Sequence, residues 1–147
     1  MIPVVQGVLS VAGRVALATI FILSAVGNKI PNFDAVSKVM AAKGIPAPTL
    51  MLVGAIVFLI AGGLSVVVGY KARIGAFLLL VFLVLASYYF HDFWRLTDPK
   101  EAQEQTIQFM KNLSMMGAMI FIIANGSGAW SLDGRHTTSS GETVVAA

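Results

Sequence analysis

The chain has 147 residues, 57% of them hydrophobic and only 12% charged, with a mean hydropathy of +0.83. Soluble domains are about one-quarter charged, so the composition excludes a water-soluble globule and indicates one compact integral membrane unit. Ten Lys and Arg against seven Asp and Glu give a pI near 9.5, but the bases lie mostly in short connections, which suits a lipid bilayer and no nucleic acid.

A hydrocarbon core about 30 Å thick takes about 20 apolar residues as helix. Four runs meet that need, at about 4–27, 50–69, 74–90 and 109–125. Helices are the only reading, because an open sheet cannot satisfy its backbone in lipid. The first run has no basic residue ahead of it and contains Arg14, so a retained span is expected rather than a cleaved signal. Between the first two spans, "NFDAVSKVMAAKG" sets Phe33, Val36 or Ser37, and Met40 on one side and Asp34, Lys38 and Lys43 elsewhere. That pattern predicts a short amphipathic helix on the membrane surface, stopped by Gly44 and by Pro46 and Pro48. "GYKAR" is a tight turn between the second and third spans. The next connection carries Asp98-Pro99, an N-cap followed by Pro at the first helical position. The fold class expected is all-α, an integral membrane four-helix bundle over 1–134, with a disordered polar tail at 135–147.

Up-and-down order brings together the end of the first span, the start of the second, the end of the third and the start of the fourth. Asn28, Lys29, His91, Asp92, Gln108, Lys111, Asn112 and Met115 should therefore share one end. Gln108, Lys111, Asn112, Met115 and Met119 follow steps of three and four, one stripe of a helix. A Lys inside a span needs a partner or a route to water, which makes it a functional candidate. Asp92 is the expected counter-charge of Lys111, with His91 beside them as a group able to exchange a proton near neutral pH. The same residues can also be read as an aromatic belt, Tyr88 to Trp94, with snorkelling lysines. At the other end, Arg14 is expected to form a structural clasp with Asp133, which follows the fourth span. Ala61, Ser65 and Gly69, with Gly62 and Gly63, make a thin helix face that serves internal packing or a homodimer.

There is no cysteine. This removes thiolate catalysis, disulfide exchange, cysteine-held iron–sulfur clusters and thiolate zinc. His91 and Asp92 point apart on a helix and His136 lies in the tail, so no metal or haem site is expected. No cofactor is intrinsic; a borrowed quinone is the candidate.

The Arg in the first span, "GNK" at its end, "KGIPAP", the Gly pair, "GYKAR" and above all "FMKNLSMMGAMIFIIANGSGAWSLD" together resemble the DoxX family of small four-helix bacterial membrane proteins. The resemblance covers roughly Arg14 to Asp133. It implies a multi-pass protein of the bacterial inner membrane, with both termini and "GYKAR" cytoplasmic, although a raw count of bases would put the longer loops inside. It also implies membrane-bound oxidoreductase assemblies and, for some relatives, thiosulfate:quinone chemistry. Arg14, Lys29, His91, Lys111 and Asn112 occupy recurrent polar positions of the family. A Glu that relatives commonly carry before the Gly pair is missing here, where Phe58 to Ala61 are apolar. Whether the chain is itself an enzyme stays open. Three functions remain: a subunit of a quinone-linked redox assembly with other membrane-protein partners, a non-catalytic accessory or scaffold subunit, and a small transporter or lipid-handling protein. The last lacks the Pro breaks and inverted repeat of alternating access.

Overall fold

A computed structural model describes residues 3–134. The polar tail expected over 135–147, with His136, lies outside the described residues. Five helices follow in order: α1 (Pro3–Ser24), α2 (Phe33–Ala42), α3 (Pro48–Val68), α4 (Ala72–Phe90) and α5 (Pro99–Asn125). Four are long and apolar enough to cross a membrane; the first of these continues through a π-helical turn, Ala25–Lys29. The architecture is the all-helical membrane bundle the composition calls for, with the short amphipathic α2 between the first two spans.

Local chemistry sets the helix ends. Asp98 caps α5, its Oδ1 accepting from the backbone N–H of Lys100 (3.0 Å) and Glu101 (2.9 Å). Such a cap is worth about 1 kcal/mol. From it α5 runs unbroken to Asn125, so the helix begun at Asp98-Pro99 and the last span are one. At the other extreme α2 stops in a Schellman turn. Gly44 adopts φ +73°, its N–H donates to Ala41 O, and the Ile45 N–H donates to Met40 O. That turn folds Ile45 back onto Met40, and both are buried with Leu52 of α3.

α1 packs on α3, α3 on α4 and α4 on α5, while α2 lies against α3. Ala18 and Phe21 of α1, Leu59 and Val66 of α3, Leu79 and Leu83 of α4, and Met119 of α5 form the common core. Lipid supplies no hydrophobic drive between helices, so close packing must hold them. Gly62 and Gly75 provide it: a Cβ on Gly62 would lie 2.8 Å from Gly75 O, and one on Gly75 would lie 2.5 Å from Ser65 Oγ. Gly63 admits Ile22 of α1 in the same way. The thin face of α3 thus serves internal packing through Gly62, Gly63, Ser65 and Gly69, and Ala61 is exposed.

The amphipathic α2 differs from a helix lying free on a membrane. Its Phe33, Val36 and Met40 turn inward onto Leu52, Tyr89 and Phe90. It covers one end of the bundle.

Candidate functional site

Beneath α2 lies a cavity of about 670 Å³, within the usual range of small-molecule sites. Its wall is mostly aliphatic and aromatic. Asn28, Lys29, His91 and Asn112, with Ser24, supply its polar groups, and no Asp or Glu lines it. Met115 lines the same space. Five of the eight residues expected to share this end, Asn28, Lys29, His91, Asn112 and Met115, therefore border one cavity.

Ser24, Lys29, His91 and Asn112 are each held by a neighbour. In the π-turn the Ile30 N–H bonds to Ala25 O, five residues back, which re-aims the side chains around Asn28 and Lys29. Lys29 Nζ donates to Ser24 Oγ at 2.7 Å and stands 5.4 Å from the centre of the Phe82 ring, a cation–π contact. His91 Nδ1 is 2.8 Å from Gln105 Oε1. With that oxygen accepting, Nδ1 carries the proton and Nε2 keeps a free lone pair; the assignment follows the amide orientation. Asn112 Nδ2 donates to Ser87 Oγ at 3.0 Å, which leaves its carbonyl oxygen available.

Three residues of the group stand elsewhere. Asp92 pairs with Lys43, at the end of α2, through Nζ and Oδ1 at 3.3 Å. It does not meet Lys111: the Schellman turn aims Lys43 at the end of α4 and takes the carboxylate. Lys111 and Gln108 are exposed on the outer side of α5, because one residue along a helix turns about 100°. Asn112 points in where Lys111 points out. Gln105, Ser24 and Ser87 were absent from the expected set. Gln105 sits one helical turn before Gln108, and Ser87 one turn before His91, a periodic signal that could have found both.

The opposite end is built from main chain. Arg14 is 5% exposed and donates from Nη2 to Trp130 O at 2.7 Å. Asp133 caps α4 instead, accepting from the N–H groups of Lys71 (2.8 Å) and Ala72 (3.0 Å). Backbone partners take both groups, so the expected Arg14–Asp133 clasp has no direct ion pair; it becomes two fastenings of the same segment, with Asp133 still within electrostatic reach of Arg14. Gly69, at φ +68°, leaves the room that Arg14 Nη1 and Ser131 occupy, and Gly7 does so for the Trp130 ring. Among the described residues no three His, Asp or Glu side chains converge.

The DoxX family profile matches residues 9–92, which takes in most of α1, all of α2 to α4, and His91. The chain belongs to the DoxX family. It is 31% identical to the inner membrane protein YphA of Escherichia coli K12 over 87% of this chain and 90% of that protein. It is 30% identical to the inner membrane protein YqjF of the same organism, over 82% and 85% respectively. No solved structure matches. As a DoxX-family protein with four apolar helices of spanning length, it is an inner membrane protein set in a lipid bilayer. The matched stretch ends at Asp92, so Asn112 and Met115, which α5 adds to the cavity wall, lie beyond it.

Proposed function

We propose that the chain is a membrane subunit of a quinone-linked redox assembly, and that its part is to hold a quinone headgroup at the Lys29–His91–Asn112 end of the cavity. One observation carries this reading: a large apolar cavity whose polar side chains gather at one end, in the manner of an amphiphile. A bound quinone would supply the two-electron chemistry that the side chains lack, with electrons and the rest of the machinery coming from partner subunits. Lys29 keeps two N–H donors after serving Ser24, enough for a carbonyl oxygen. His91 Nε2 can take the proton of a quinol hydroxyl while Gln105 holds the ring. Phe82, Tyr89 and Phe90 give flat apolar walls to a ring.

Native mass spectrometry from nanodiscs prepared with ubiquinone tests it. An adduct of quinone mass is expected, reduced at least tenfold by His91→Ala with the fold retained. A wild-type protein that carries phospholipid alone would overturn the reading.

A second role rests on the outer face of α5, where Lys111 and Gln108 are exposed beside Ile107 and Met110. That face suits docking of another membrane subunit, the accessory role. Lys111→Glu should then weaken co-purification of a partner and leave the quinone adduct unchanged.

A further inference from the structure

We infer that the cavity exchanges its ligand sideways with the bilayer, through a slot between the Pro48 half of α3 and the Phe90 half of α4, and that the ligand class is a long-tailed amphiphile. The inference rests on the quinone reading for the headgroup alone. The slot follows from how the two helices cross. At Gly62 and Gly75 their backbones come into contact, with no space for a Cβ. In their other halves the same helices line the cavity through Met51, Ala55 and Phe58 on one side and Val81, Leu85 and Tyr89 on the other. Met51 is 45% exposed and Leu85 50%, although both border the cavity. Gly54 lies beside them with open space where a side chain would stand.

The aqueous end is covered in part by α2, although Asn28 and Pro46, which border the cavity there, are exposed. Met40 and Ile45 are buried beneath α2, which is fastened by Lys43 to Asp92 and by Ser37 Oγ to Thr49 Oγ1 at 3.2 Å. A ligand arriving from lipid meets an open apolar wall at Met51 and Leu85. Depth fits the same conclusion. The ten steps from Val81 to His91 rise about 15 Å, half of a bilayer core about 30 Å thick. The slot thus runs along one leaflet from the polar groups inward, as the tail of a membrane amphiphile does.

The chain has no cysteine, so introduced cysteines report alone. Nitroxide labels on Ala55→Cys and Val81→Cys should be relaxed by oxygen, which partitions into lipid, and not by a water-soluble nickel chelate. Relaxation by the chelate, or by neither reagent, would overturn the slot whether or not any quinone binds. In a second arm, Lys43→Cys/Asp92→Cys is bridged with a short bis-maleimide, and uptake of ubiquinone-10 from nanodisc lipid is followed by native mass spectrometry. Uptake should stay within twofold of the unbridged protein, while Gly54→Trp should slow it at least tenfold. A tenfold loss on bridging would place the entrance at α2 and overturn the proposal. Lipid-accessible labels in a protein that never takes up quinone would leave the slot standing and sink the headgroup reading.

Discussion

The two ends of the bundle each draw a cation inward, Arg14 at one and Lys29 at the other, and use it differently. Arg14 is sealed against the protein's own main chain: Nη2 holds Trp130 O, its buried Nε and Nη1 have no hydrogen-bond partner, and Asp133 caps α4. Lys29 has only the Ser24 hydroxyl and the Phe82 ring, and faces a cavity with no carboxylate in it. Both residues would be singled out as polar groups in apolar spans. Their surroundings separate a fastening from a site: Arg14, 5% exposed, is walled in by the segment it holds, whereas Lys29 borders empty apolar space that a ligand can enter.

The largest effect should come from the helix crossing that the two ends share. Gly75→Val places a branched side chain against Ser65 and Gly62 O, and the backbones must part. A loss of about 3 kcal/mol or more is expected, read as a lower unfolding midpoint in detergent together with loss of the quinone adduct. Gly69→Ala should affect the closed end alone. It forces an L side chain to φ +68° and into the space of Arg14, at about 1–2 kcal/mol for the backbone and more for the contact. Its adduct should survive. At the cavity end, Lys43→Ala removes a partly exposed ion pair worth about 0.2–1 kcal/mol. The midpoint should hardly move, and α2 should become more accessible to protease or hydrogen exchange.

The spans, the surface helix and the Asp98 cap were legible because each follows from a one-dimensional signal: an apolar length, a helical period, an Asx-Pro pair. Up-and-down order also suffices to put Lys29, His91 and Asn112 at one end. What stayed hidden depended on direction and on main chain. Nothing in the pattern tells that the Gly44 turn aims Lys43 at Asp92, so Lys111 looked like the partner. Lys111 and Asn112 are adjacent, and only the packing of α5 on α4 decides which of them faces Ser87. Arg14 and Asp133 belong to the same end, yet Trp130 O and the N–H groups of Lys71 and Ala72 are invisible to a search among side chains. The π-turn that presents Asn28 and Lys29 depends on a backbone bond from Ile30 to Ala25 that no side-chain pattern encodes.

The contrast between the two ends is tested most directly by comparing Arg14→Met with Lys29→Met, each read for unfolding midpoint and for bound quinone mass in the same nanodisc preparation. Arg14→Met should lose a charge-assisted bond of about 1.5–3 kcal/mol, lowering the midpoint while the adduct remains. Lys29→Met should keep or raise the midpoint and lose the adduct. The opposite pattern, a destabilised Lys29 variant that still carries quinone beside an Arg14 variant that is stable and empty, would contradict the account.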